Sequence, residues 1–89
     1  MIDLNGKVAI VTGAGQGLDE AIARRLAAEG CKVVVADLVG ENAARVAASL
    51  PDAISSTVDV TKEEQVAAMV AAGVEQYGRL DIMVPNAGI

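Results

Sequence analysis

Apolar residues along this chain fall into two rhythms, short unbroken runs and helical stripes, and the two alternate. Lys7 to Thr12 (KVAIVT) and Lys32 to Asp37 (KVVVAD) are β-branched runs with apolar middles, which predicts strands buried on both faces. Ala53 to Val58 (AISSTV) is weaker, and Ser55 and Ser56 place it near a sheet edge. Asp81 to Val84 (DIMV) is a fourth run, ended by Pro85, which has no N–H to give a ladder. Between the runs lie three helical patterns. The first spans about Gly17 to Glu29, with Leu18, Ile22 and Leu26 as its apolar stripe and Gly30 as its stop. The second, about Gly40 to Ser49, is Ala-rich and ends before Pro51. The third opens at Thr61, with Glu64 three residues on in a capping-box pattern. Its stripe is Val66, Met69, Val70, Gly73 and Val74. Gly73 in mid-helix costs about 1 kcal/mol against Ala, unless it permits a close approach.

The resulting order, β-α-β-α-β-α-β, predicts an α/β fold. Parallel strands with right-handed crossovers give half of a doubly wound sheet with strand order 3-2-1-4. The first and fourth strands then flank the switch point, where a ligand sits beyond the strand C-termini. The fourth strand is left as an open apolar edge, so self-association through it into a homo-oligomer is expected. The 89 residues suffice for one small domain, 1–89, without linker or repeat.

Composition narrows the picture. Apolar residues make up 53%, with no Phe or Trp and one Tyr, so the core must be aliphatic. A net charge of -5 argues against nucleic acid and anionic membrane as partners, since both need a basic face. No run approaches the roughly 18 apolar residues of a membrane span, and the N-terminus lacks a signal-peptide layout. Cys31 is alone and reads as a small buried hydrophobe at a strand start. A cytoplasmic, reducing setting fits. No cluster has metal-ligand spacing.

The residues that carry chemistry begin with Thr12-Gly13-Ala14-Gly15-Gln16-Gly17-Leu18-Asp19, between the first strand and first helix. A glycine-rich turn there lets backbone approach a ligand, and the helix N-terminus offers unpaired N–H groups of partial positive charge. Asp37 ends the second strand, about 20 residues beyond Gly17. A carboxylate there accepts hydrogen bonds from both ribose hydroxyls of an adenosine and repels a 2′-phosphate. No Arg or Lys lies near the turn or just after Asp37 to hold a phosphate, so NAD is favoured over NADP. Asp59-Val60 ends the third strand, next along the crevice, where an adenine would lie.

Together these residues resemble the N-terminal, cofactor-binding half of a classical short-chain dehydrogenase/reductase, along the whole chain. Asn5-Gly6-Lys7 and the strand after it resemble the family's entry strand. Thr12 to Leu18 matches most of its Thr-Gly-x-x-x-Gly-x-Gly turn. Asp59-Val60 matches its adenine-contacting pair, and Gly78-Arg79-Leu80-Asp81 leads to a strand followed by Asn86-Ala87-Gly88. The resemblance implies a Rossmann-like nucleotide-binding half-domain. It implies that Gly13, Gln16, Gly17 and Leu18 face a pyrophosphate, Asp37 and Leu38 the adenosine ribose, and Asp59 and Val60 the adenine. Asn86, Ala87 and Gly88 would line the middle of the cofactor.

Three departures qualify that reading. The family's catalytic Ser, and its Tyr and Lys four apart, belong downstream of Ile89. Tyr77 is followed four residues later by Asp81, so no turnover is expected from this chain alone. Asp19 replaces the family's third turn glycine, with Glu20 beside it. Acids in a first helical turn gain about 0.3–1 kcal/mol from the dipole. Against a pyrophosphate they repel by about 3 kcal/mol at roughly 6 Å and an effective dielectric of about 20. That would weaken a phosphate ligand on the order of a hundredfold. Pro85 stands where the family has an Asn.

The leading expectation is thus a truncated, engineered cofactor-binding half of an NAD-dependent oxidoreductase. A second is S-adenosylmethionine binding: the Gly-x-Gly-x-Gly turn also resembles that of class I methyltransferases, and an acidic helix start attracts a sulfonium. A third is a scaffold that binds no ligand.

Overall fold

The most β-branched segments take the middle of the sheet in the computed structural model, which describes residues 3–85. β1 (Val8–Thr12) is buried along its whole length, and β2 (Lys32–Asp37) everywhere but its first residue. β3 (Ala53–Thr57), with its serines, lies at one edge, and the short β4 (Ile82–Val84) at the other. The order is β3-β2-β1-β4, and every pairing is parallel. Register pairs Thr12 with Ala36, Asp37 with Thr57 and Val11 with Val84. All the strands therefore finish at one edge of the sheet.

Side-chain alternation along the central strands feeds two apolar layers. Val11, Val33 and Val35 pack with Ala23 and Ala27 of α1 (Gly17–Ala28) and with Ala43, Val46 and Ala47 of α2 (Gly40–Ala48). Ile10, Val34 and Ala36 face the other way, onto Met69 of α3 (Glu63–Tyr77), with Val66 and Val70 beside it. The core is aliphatic, and Cys31 is buried in the first layer. Gly73 is buried where α3 crosses the sheet: a Cβ there would stand 3.2 Å from Cγ2 of Val34. Its lost helix propensity is exchanged for that approach.

Two local expectations are corrected. Leu18 does not join the apolar stripe of α1; it is 77% exposed, whereas Ala23 and Ala27 form the buried face and Ile22 and Leu26 are half-buried. The helix begins at the C-terminal end of β1 and runs back over the sheet, so its first turn overhangs the strands. Nor does Thr61 cap α3. The helix starts at Glu63 after Lys62, with no side-chain cap bond. Thr61 instead donates its hydroxyl and its backbone N–H to Oδ1 of Asp59, at 2.6 and 2.9 Å. A carboxylate two residues back offers a closer local partner than the helix does.

The end of the sheet remote from the strand C-termini has its own fastenings. Asp81, just before β4, accepts the Val8 N–H at 2.9 Å and donates its own N–H to the Val8 carbonyl at 3.0 Å. Arg79 binds the other carboxylate oxygen at 2.7 Å. The Tyr77 hydroxyl donates to Asp52 at 3.1 Å, and the Lys32 ammonium lies 5.6 Å from the ring centroid. Burial, then the Asp52 carboxylate, pushes the Tyr77 phenol up to about 12. No helix among the described residues is long and apolar enough to cross a membrane.

Hydrogen bonds from Arg79 and from the Val8 N–H hold the Asp81 carboxyl below its ordinary range. A folded-state pKa below the unfolded one gives stability that is present above the unfolded value and lost as pH falls through the folded value. The urea midpoint should therefore drop as pH falls below about 4. In Asp81→Asn the starting midpoint should be lower and that part of the acid dependence absent, as followed by circular dichroism.

Candidate functional site

Where the strands finish, three connections leave the sheet and enclose an open cavity of ≈ 280 Å³. Thr12, Gly13 and Gln16 line it from the β1–α1 turn, and Ala36, Asp37 and Leu38 from the end of β2. Val58, Asp59, Val60 and Thr61 line it from the segment after β3. Of the residues singled out in the sequence, Gly13, Gln16, Asp37, Leu38, Asp59 and Val60 are thus brought together. Gly17 and Leu18 do not line the cavity; both are exposed at the start of α1. Asn86, Ala87 and Gly88 lie outside the described residues.

The glycines of the turn serve different needs. Gly13 and Gly17 have φ of 68° and 64°, the left-handed region that side chains disfavour. Gly15 is required for space. A Cβ on it would fall 2.6 Å from both Cβ of Asn42 and Oδ2 of Asp37. The turn is tied to β2 by its amides: Ala14 N–H donates to the Ala36 carbonyl at 2.9 Å, and Gly15 N–H to Oδ2 of Asp37 at 2.8 Å.

Asp37 is only 8% exposed, so it is no solvated strand end. Its second oxygen, Oδ1, accepts the Val39 N–H at 2.9 Å. Two backbone amides replace water around the carboxylate and fix its plane. A carboxylate has about four acceptor positions, so each oxygen of this cavity-lining residue retains one beyond its backbone amide. Asp59 is held differently. Oδ1 takes both Thr61 donors, the hydroxyl bond chiefly holding the carboxyl below its ordinary range. Its backbone N–H donates to the Gln65 side chain at 2.9 Å. Leu38 and Val60, 66% and 40% exposed, give the cavity apolar flanks beside these carboxylates.

The expectation that no Arg or Lys lies near the turn is corrected. Arg45 of α2 donates to the Gly15 carbonyl at 2.8 Å, because the crossover brings α2 alongside the turn despite the sequence separation. The two acids of the first helical turn are also unequal. Glu20 pairs with Arg24 at 2.8 Å and with Arg45 at 3.5 Å, which lowers its pKa through the Arg24 hydrogen bond first. Asp19 has no such partner among the described residues. The repulsion anticipated from both acids thus falls mainly to Asp19. No group of three His, Cys, Asp or Glu that could hold a metal ion occurs among the described residues.

The profile of the short chain dehydrogenase family matches residues 7–89. The chain belongs to that family. It is 44% identical over 87 residues to meso-2,3-butanediol dehydrogenase of Serratia marcescens, a match covering 96% of this chain and 35% of that enzyme. Among solved structures, 3-ketoacyl-(acyl-carrier-protein) reductase of Brucella melitensis complexed with NADH superimposes with a TM-score of 0.87. Identity there is 43%, over 90% of this chain and 34% of that one. A short chain dehydrogenase/reductase of Burkholderia phymatum in complex with NAD superimposes with a TM-score of 0.89 at 34% identity, covering 93% and 31%. The chain therefore spans about a third of the length of these relatives.

Of the residues lining the cavity of this family member, sequence reasoning assigned no contact role to Thr12, Ala36, Val58 and Thr61. Thr12 and Ala36 are paired neighbours at the ends of the central strands, so their placement follows from register. The Asp-x-Thr spacing of Asp59 and Thr61 was the readable signal for the last. Because Gly15 is closed in by Asp37 and Asn42, Gly15→Ala should destabilise the chain by about 1–3 kcal/mol through overpacking. Urea denaturation of the two proteins measures it, and equal midpoints would refute the tight contact.

Proposed function

We propose that this chain binds NAD at the C-terminal edge of its sheet, as the cofactor-binding portion of an oxidoreductase. The reading is carried by Asp37, a buried, cavity-lining carboxylate fixed by two backbone amides yet with acceptor positions left over. The NADH and NAD complexes of the two neighbouring structures support it. In this reading Asp37 and Leu38 receive the adenosine ribose, and Asp59 and Val60 the adenine. Gly13, Gln16, Gly17 and Leu18 face the pyrophosphate, and Asn86, Ala87 and Gly88 the middle of the cofactor. The bound nicotinamide would supply the hydride acceptor. No residue of the chain is assigned an acid–base role in that transfer, so turnover is not expected of it alone.

NAD is preferred to NADP on electrostatic grounds. Asp37 would meet a 2′-phosphate with like charge, and Arg45, the cation nearest the turn, is engaged by the Gly15 carbonyl and Glu20. Asp19 keeps S-adenosylmethionine as the competing reading, since an acid with no cationic partner among the described residues suits a sulfonium better than a pyrophosphate. Glu20, neutralised by Arg24 and Arg45, does not strengthen that alternative. Calorimetric titration with NAD, NADP and S-adenosylmethionine discriminates among them. NAD should bind most tightly, and Asp37→Ala should weaken it about tenfold or more. Tighter binding of S-adenosylmethionine, or no binding of any, would overturn the proposal.

The same reading extends to assembly. β4 has only three strand residues, pairs only with β1 among the described residues, and presents Met83 at 40% exposure. Such an edge favours pairing between copies. Light scattering should show the mean mass rising with concentration, and a constant monomer mass would count against it.

A further inference from the structure

The Gly15 peptide is gripped from both sides. Its N–H goes to Asp37, at the end of β2, and its carbonyl receives Nη2 of Arg45, in the last turn of α2. Asn42, one helical turn before Arg45, places its Cβ where a Gly15 side chain would stand. Asn42 and Arg45 thus form one face of α2 against the turn. The same guanidinium reaches Oε1 of Glu20 at 3.5 Å, and Glu20 is held in turn by Arg24, whose Nη1 donates to the Ser49 hydroxyl at 2.7 Å. A chain of charge-assisted bonds therefore joins the start of α1 to the last turn of α2, with the Gly15 carbonyl as its inner terminus.

We propose that Arg45 is a positioning residue for the nucleotide-facing turn, acting through the Gly15 peptide on both the turn and the Asp37 carboxylate. A peptide plane is rigid about its C–N bond. Arg45 binds the carbonyl of the plane that Gly15 shares with Gln16, a cavity-lining residue, while Asp37 binds the amide of the preceding plane. Rotation of either plane breaks one of these bonds, and rotation of the Gly15–Gln16 plane also turns the Gln16 N–H away from its place before α1. A guanidinium suits the role because Nη2 alone carries two N–H groups, one for the carbonyl and one for Glu20. Its exposure, 56% for the side chain, leaves it outside the core, so its removal need not unfold the chain. The consequence for NAD rests on the function proposed above; the control of the turn does not.

The test uses the 89-residue chain, its Arg45→Met and its Arg45→Lys variants. Amide hydrogen exchange is followed by NMR at Gly15, with Val34 and Val46 as core references, and NAD affinity is measured beside it. In Arg45→Met, the Gly15 amide should exchange about tenfold faster while the core references keep their rates. NAD affinity should fall about five- to tenfold. Arg45→Lys, which keeps the charge and its donors on a shorter side chain without the planar guanidinium, should lie between on both scales. An unchanged Gly15 rate in Arg45→Met, or a rise shared equally by the core amides, would overturn the inference, the latter marking general destabilisation. If the unsubstituted chain fails to bind NAD, the proposed function falls, and the exchange comparison still decides the role of Arg45.

Discussion

Everything at the site depends on β1 being paired in parallel on both of its edges, with β2 on one side and β4 on the other. Parallel neighbours require crossover connections, and here α1 and α2 cover one face while α3 covers the other. Connections that diverge in this way leave the C-terminal ends of the strands uncovered between them. The turn after β1 then borders an open space, lined from it by Thr12, Gly13 and Gln16. Complete burial of β1 makes this arrangement hard to alter, because any shift in its register would carry Ile10 and Val11 out of opposite cores.

The turn is not self-supporting. Its shape comes from residues delivered by later segments: the Ala36 carbonyl and Asp37 carboxylate from β2, and Asn42 and Arg45 from α2. Asp37 is therefore both part of the scaffold and part of the cavity wall. Two backbone amides hold its buried carboxylate, with no ion pair to it among the described residues, and each leaves its oxygen a further acceptor position. Asp59 solves a different problem. By capturing both donors of Thr61, it orders the segment between β3 and α3 that would otherwise be a loose flank of the cavity.

Strands, their order and the place of the cavity were legible because β-branched runs and parallel topology leave few alternatives. Gly13 and Gly17 were legible as glycines required by a turn. The reason for Gly15 was not, since the atoms that exclude a side chain there belong to Asp37 and Asn42. Arg45 escaped notice for the same reason: nothing in a helical stripe of alanines says which exposed residue will meet a carbonyl from an earlier loop. Periodicity misplaced Leu18 because spacing along a helix does not tell where the sheet beneath it ends. Thr61 misled because two legitimate partners, a helix amide and the Asp59 carboxylate, lay within reach, and local competition decided between them.

The pairing of Tyr77 with Asp52 and Lys32 also determines how the molecule can be observed. Tyr77 is the chain's single aromatic residue, and it sits at the pole of the sheet opposite the cavity. Its ultraviolet emission accordingly reports whether the C-terminal end of α3 is seated on β2 and β3. A ligand chromophore at the other pole has no indole nearby to transfer energy to it, so its light carries a separate channel of information about the crevice.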